Sequence, residues 1–363
     1  MGRASATRQQ LSPPPSTLVG ALCGLGAAAS FGVSAPLAKL LLGSLSATLL
    51  AGLLYLGAAL ALWTVRALRG PTREAPLQSA DALPLLCVVL SGGVAGPVLM
   101  LLGLSRLSAF TGSLLLNLEV PLTMLLAVVV FREHLGRRAA LAATCILVGA
   151  ALLKLEPGAV VADTWGIACI AAACLCWALD NNLTQRLTLR DPFAVVRVKA
   201  TGAAIVNVTL GLVWLDSALP PAWVLLAALL LGSVSYGASV VLDAYALRMI
   251  GATREAAYFA TAPFLGALLS VVLFEQPVHP VDVVAMLSMV VGVVLMLREQ
   301  HDHRHVHRPL RHEHLHTHDE HHQHVHGPDD PVGEPHAHTH RHELLKHAHA
   351  HAPDLHHRHE HPS

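Results

Sequence analysis

Between residues 18 and 297 the chain is a succession of long apolar runs broken by short polar segments. The runs are continuous rather than alternating, so they read as helices and not as the period-two strands of a membrane barrel. A bilayer core needs about 20 apolar residues in helical form. Stretches of that size lie near 18–42, 45–67, 82–104, 107–130, 136–154, 164–185, 193–215, 222–247, 251–274 and 280–297, and predict ten transmembrane helices. Past 297 the pattern changes: apolar residues become sparse and histidine alternates with other residue types. That segment buries too little to fold alone and is expected to be disordered without metal.

Composition supports the same class. Only 13% of the 363 residues are charged, about half the share usual in a soluble domain. The formal net charge of zero gives no electrostatic reason to expect nucleic acid as a partner. The six cysteines all fall inside apolar runs, which is not the layout of a disulfide framework. There is no phosphate-cradling G-x-x-x-x-G-K-[ST] loop and no Ser-His-Asp or Cys-His arrangement, so neither direct ATP coupling nor catalysis is expected. Orientation follows from the loops. With the N-terminus in the cytoplasm, thirteen arginines fall on the inner side before the tail, against Arg106 and Lys154 outside. The positive-inside rule therefore predicts a multi-pass plasma-membrane protein with both termini cytoplasmic.

The chain also repeats itself. At a shift of 142 residues Arg106 meets Arg248, Thr111 meets Thr253, Pro121 meets Pro263 and Glu133 meets Glu275. The unit is about five helices, and an odd number inverts the second copy. Four segments follow: 1–17 as a cytoplasmic lead, 18–154 and 155–297 as inverted five-helix repeats, and 298–363 as the His-rich tail. Two inverted halves around a midplane cavity are the architecture of alternating-access secondary transporters.

Three strings carry a resemblance to a known family: Leu114-Leu115-Leu116-Asn117-Leu118-Glu119-Val120-Pro121 running on to Phe131-Arg132-Glu133, its partner Tyr258-Phe259-Ala260-Thr261-Ala262-Pro263 through Phe274-Glu275, and Cys176-Trp177-Ala178-Leu179-Asp180-Asn181-Asn182-Leu183-Thr184. Over 18–297 the chain resembles the ten-helix EamA branch of the drug/metabolite transporter superfamily. The resemblance implies the fold and a small-molecule cargo. It does not choose among amino acids, metabolites, drugs and sugars, and the tail lies outside the family pattern.

An ionisable side chain at mid-bilayer costs at least about 2.5–3.5 kcal/mol and persists only if paired, hydrated or used. The candidates for a substrate path are Lys39, Asn117, Glu119, Asp180, Asn181, Asn182 and Lys199. Lys39 with Glu119 and Asp180 with Lys199 would give one ion pair in each half, although Lys39 lies near a helix end and can instead snorkel to the interface. Arg197 is placed to do the same, and Asp243 can either pair with Arg248 or serve a functional role. Pro121 removes a backbone donor and frees the carbonyl of Asn117, so a carboxylate, an amide and a released carbonyl converge near Glu119. That combination suits a cation, a proton or a substrate ammonium; a kink with a protonated glutamate is the alternative. Gly20-x-x-x-Gly24 and Gly92-x-x-x-Gly96 read as close packing. With only 4% aromatic residues, no aromatic cage is expected.

Residues 301–361 hold 23 of the 25 histidines. Imidazole suits zinc, nickel, copper and cobalt, and His301, His303, His305, His307, His312, His314, His316, His318, His321, His322, His324, His326, His336, His338, His340 and His342 offer many interchangeable ligands. No cofactor is required, but a divalent transition metal (Zn, Ni or Co) on the tail is expected. Two functions compete: a small-metabolite exporter, for an amino acid or drug-like compound, whose tail binds metal, and a divalent-metal transporter with the tail as cytoplasmic reservoir. The absence of histidine from the spans ranks the second lower.

Overall fold

The computed structural model describes residues 15–68, 74–131, 136–153, 163–188, 190–215, 220–297, 301–307, 311–316, 336–341 and 345–351. Eight helical stretches there are long and apolar enough to cross a membrane: α1 (Thr17–Leu41), α2 (Ala47–Leu68), α3 (Ser79–Arg106), α4 (Ala109–Leu126, continuing to Phe131), α6 (Thr164–Gln185), α7 (Pro192–Val213), α8 (Ala222–Gly251) and α9 (Arg254–Phe274). Two shorter apolar helices complete the body, α5 (Arg137–Leu152) and α10 (Pro280–Leu297). The expected ten spans are thus matched by eight. At 1.5 Å per residue the 16 residues of α5 reach about 24 Å, less than a hydrocarbon core of about 30 Å.

Helix packing follows a two-fold pattern. α1 lies along α8, and α6, its equivalent in the second half, lies along α3. α2 crosses α7, α4 meets α9 and α5 runs along α10, each helix against its own counterpart. Exchanging the halves maps these pairings onto themselves. The direction of the second copy is fixed by Gln276, which follows α9 and accepts a 3.3 Å hydrogen bond from the backbone N–H of Phe110, at the start of α4. The exit of α9 therefore lies beside the entrance of α4, and the two equivalent helices run antiparallel. Polar contacts between loops agree with this arrangement. Arg248 grips Glu74 with two bonds of 2.9 and 3.2 Å, Arg190 meets Asp81 at 3.2 Å and Arg106 meets Asp163 at 2.9 Å. Each pair joins segments that the positive-inside reading puts on one side. The Arg106 guanidinium holds the Asp163 carboxyl below the usual carboxylate range.

Close approach is built from small residues. A Cβ on Gly57 would lie 2.0 Å from the carbonyl oxygen of Leu229, and one on Gly232 the same 2.0 Å from that of Leu54. α2 and α8 therefore touch backbone to backbone, which no other residue type permits. Gly20 and Gly24 let the side chains of Met249, Ile250 and Tyr258 pack directly on the backbone of α1. The outer surface is apolar, with Leu68, Leu83, Val213 and Val272 each at least 70% exposed. Charged groups such as Asp180, Lys199 and Glu255 are buried inside. That inversion of the soluble pattern is the arrangement lipid demands.

The tail differs from its expectation. Its described parts form two antiparallel strand pairs, β1 (His301–His307) with β4 (Leu345–His351) and β2 (Arg311–His316) with β3 (His336–Arg341). The reason is the alternation itself: His-x-His is a period-two pattern, which puts all the histidines of a strand on one face.

Candidate functional site

Prolines shape the interior. Pro121 leaves α4 without one backbone donor, and the helix tightens to a 3₁₀ turn over Leu116–Leu118. Pro263 acts likewise in α9, where the helix stops at Phe259 and restarts at Ala262. Pro36 follows a break in α1 at Val33. α3 widens into a π-helical stretch at Val89–Ala95, just before Pro97, and α8 has the matching stretch at Ser233–Ala238. In the α3 stretch two backbone carbonyls are met by side chains. Gly92 O accepts from Tyr55 OH at 3.0 Å and Trp177 Nε1 at 3.1 Å, and Gly93 O accepts from Asn207 Nδ2 at 3.1 Å.

Around these breaks the polar side chains gather. Asp180 of α6 and Lys199 of α7 form an ion pair whose side chains are only 4% and 7% exposed. Thr184 Oγ1 donates to Asp180 Oδ1 at 3.2 Å. The pair needs glycine at 92: a Cβ there would sit 2.2 Å from Asp180 Oδ2. Asn181, one residue on, donates through Nδ2 to Glu119 Oε1 at 2.7 Å. This contact joins the first half to the second at the α4 kink. Asn117 reaches Met289 Sδ with Nδ2 at 3.8 Å, while its Oδ1 is buried without a partner. Asn117 and Glu119 open onto a cleft lined also by Phe31, Val120, Phe259 and Pro263. Its walls thus come from α1 and α4 of one half and α9 of the other.

The EamA-like transporter family matches residues 18–155 and again 164–298. The chain belongs to that family. It is a multi-pass membrane transporter, and the two matched stretches are the two halves that the packing relates. An uncharacterized transporter of Methanothermobacter thermautotrophicus is 29% identical over 283 residues, which cover 73% of this chain and 82% of the relative. A crystal structure shares the fold with a TM-score of 0.60 at 18% identity, over 79% of this chain and 99% of the other.

Within this EamA-family fold the expected site residues separate into groups. Asp180 pairs with Lys199 as expected, and Glu119, Asn181 and Asn117 lie together. Lys39 does not pair with Glu119. Its Nζ donates to the carbonyl oxygens of Leu104 and Leu107 at 2.5 and 2.6 Å, where the end of α3 has unmet acceptors. Asn182 turns back on its own helix, donating to Ala178 O at 2.8 Å. Asp243 does not pair with Arg248, whose guanidinium is held by Glu74 and lies 5.0 Å over the Tyr245 ring. Arg197 stacks 4.7 Å over Trp63.

Two features escaped the sequence. Glu255 is 1% exposed and its Oε1 is buried without a hydrogen-bond partner. It stands next to Arg254 near a helix start, which reads as a solvated end. The available signal was its place inside the apolar run 251–274. The second is an aromatic cluster. Phe31 has Phe259, Tyr236 and Trp177 around it at ring-centroid distances of 5.2, 5.6 and 5.9 Å, and Tyr236 is 5.2 Å from Tyr55. A low aromatic content says nothing about where the few rings converge.

In the tail the strand register sets histidine opposite histidine. His301, His303 and His305 face His351, His349 and His347, and His312, His314 and His316 face His340, His338 and His336. His307 stands opposite Leu345. Of the expected ligands, His318, His321, His322, His324, His326 and His342 lie outside the described residues.

Proposed function

We propose that the protein is a secondary transporter with ten spans that exports a small metabolite, an amino acid or drug-like compound, across the plasma membrane by alternating access. In this reading α5 and α10 are the fifth spans of their halves, both termini are cytoplasmic, and the halves rock about the cleft at Glu119. The observation that carries it is the Asn181–Glu119 hydrogen bond, a polar link between the two halves at a helix break beside the cleft. Such broken helices at the interface of two repeats are where carriers of this architecture hold cargo. Asn117, Glu119 and Asn181 are the binding side chains in this proposal, and Asp180 with Lys199 braces them. The test is counterflow of a panel of amino acids, amines and toxic analogues in proteoliposomes holding the full chain. Glu119→Gln is expected to lower flux of the accepted solute at least about tenfold, as loss of a hydrogen bond to a charged group does. Unchanged flux refutes the site.

The tail is proposed as a cytoplasmic metal binder that modulates the carrier. Cross-strand histidine pairs bring two imidazole-bearing positions of one sheet face together, and borderline cations such as Zn(II), Ni(II) or Co(II) take such ligands. Among the described residues, none of the body's His, Cys, Asp and Glu side chains form a group of three placed to hold a metal ion. This favours a metabolite over the metal as cargo. Deleting 299–363 is expected to abolish zinc binding in equilibrium dialysis and to leave metal-free flux intact. Zinc flux that persists in the truncated chain would favour the metal-transport reading.

A further inference from the structure

α2 of the first half and α7 of the second run antiparallel along one seam. Near one end the seam is glycine-close: a Cβ on Gly52 would lie 2.6 Å from Val208 N, and one on Gly211 the same 2.6 Å from Leu49 Cα. Carried to the other end of both helices, that register sets Trp63 against Arg197. Large side chains replace glycine there and stack. The guanidinium carbon of Arg197 lies 4.7 Å from the centre of the Trp63 ring and 6.0 Å from that of Phe193. Trp63 Nε1 donates to Thr201 Oγ1 at 3.1 Å, and Thr201 Oγ1 donates on to Arg197 O at 2.8 Å, which holds the indole against α7.

The Arg197 charge has ring faces beside it and, among the described residues, no counter-ion. Its Nε and Nη1 are buried without a hydrogen-bond partner. The acids at the adjoining helix ends are engaged: Asp191 accepts from Phe193 N at 3.0 Å, and Asp81 meets Arg190 at 3.2 Å. A cation among apolar side chains is costly, and a ring face offsets only part of that cost. Its level decides what can neutralise it. Arg197 is five residues into α7 from Pro192, and Trp63 is five residues short of the end of α2 at Leu68, so both lie about 7 Å below the helix ends. That is the boundary between headgroups and acyl chains, where tryptophan concentrates in membrane proteins. The surface beside it is turned to lipid: Trp63 is 53% exposed, Leu60 54% and Val198 39%.

We propose that this edge of the α2–α7 seam binds an anionic phospholipid, with its phosphate on the open side of the Arg197 guanidinium and its acyl chains along Leu60 and Val198. Guanidinium and phosphate match in charge and in geometry, and a basic residue at the membrane surface draws anionic lipid. The lipid ties the first half to the second on the surface that also carries the Arg190–Asp81 contact. The site lies apart from the cleft at Glu119 and does not depend on which solute the carrier takes.

The test is quenching of tryptophan fluorescence by lipids brominated in their acyl chains. The full chain is reconstituted into phosphatidylcholine bilayers that hold a graded fraction of brominated phosphatidylglycerol or of brominated phosphatidylcholine. Subtracting the signal of Trp63→Phe isolates Trp63 from the other four tryptophans. We expect Trp63 to select phosphatidylglycerol about fivefold over phosphatidylcholine, the effect of one basic residue at a membrane surface. Arg197→Gln should remove that selectivity, and Arg197→Lys, which keeps the charge, should retain most of it. The comparison of the two lipids in the parent chain needs no variant at 197, so it decides the matter even if Arg197→Gln fails to fold. Equal quenching of Trp63 by the two lipids, selectivity that survives Arg197→Gln, or selectivity carried by the other tryptophans alone overturns the proposal. Excess inorganic phosphate should reduce the selectivity no more than chloride of equal ionic strength does. A larger loss with phosphate overturns the lipid as the source of the anion.

Discussion

Replacing Lys199 by Met tests whether the buried charges act as one unit. The Lys199 ammonium is 7% exposed and sits on an Asp180 carboxylate that is 4% exposed. Without it, Asp180 keeps only the Thr184 hydroxyl at 3.2 Å, a neutral donor. Removing one partner of a buried pair strands the other, at a cost of about 3–5 kcal/mol. Removing both charges, in the double variant Asp180→Asn with Lys199→Met, leaves an amide with Thr184 still in reach and is expected to cost less than about 1.5 kcal/mol, because the desolvation of two ions vanishes with their attraction. The assay is reversible unfolding in mixed micelles titrated with sodium dodecyl sulfate, followed by tryptophan fluorescence for the parent, both single variants and the double. The expected signature is a coupling energy of at least about 4.5 kcal/mol, with the double variant more stable than either single variant. A double variant as unstable as the sum of the singles would refute the argument, because the two side chains would then act independently.

Three other outcomes follow from the packing and the loops. Gly57→Ala and Gly232→Ala each put a methyl 2.0 Å from a backbone oxygen, and should cost about 1–3 kcal/mol in the same assay through enforced separation of α2 and α8; no change would show that the helices are not in contact. Lys39→Met should cost about 1 kcal/mol by uncovering two carbonyls at the end of α3, and should leave flux of the accepted solute where it was, which separates Lys39 from the cleft. The Arg106–Asp163 contact, with a depressed Asp163 carboxyl, stabilises the fold above the ordinary aspartate range and is lost as pH falls through the lower folded value. Asp163→Asn should therefore remove a stability increment that is present at neutral pH, and a difference between parent and variant that persists at the acid end of a pH series would contradict it.

Much of the body was legible because lipid enforces simple rules. Apolar run length gave the helices, and the shift that superposes Pro121 on Pro263 gave the two halves with their opposite directions. Asp180 and Lys199 were readable as partners because a charge inside a span must find one. Lys39 was not readable as a cap on α3, because which helix ends beside it is a matter of packing over a separation of 65 residues. The Asp243–Arg248 alternative fails for the same reason: Arg248 is near in sequence, but Glu74, from a segment 174 residues away, claims it. The strands of the tail were hidden by a composition that argues for disorder even while its alternation argues for extended chain.

The two π-helical stretches carry a mechanical implication. A wide turn holds one more residue than the regular ladder accommodates, and that surplus can be passed along the helix one bond at a time. Each residue that the surplus passes is turned by about 100°. In α8 the surplus lies at Ser233–Ala238, a little over one turn ahead of Asp243. Carried about five residues further, the surplus turns Asp243 about the helix axis while the span stays threaded. A swivel of this kind re-aims a side chain without unfolding a helix.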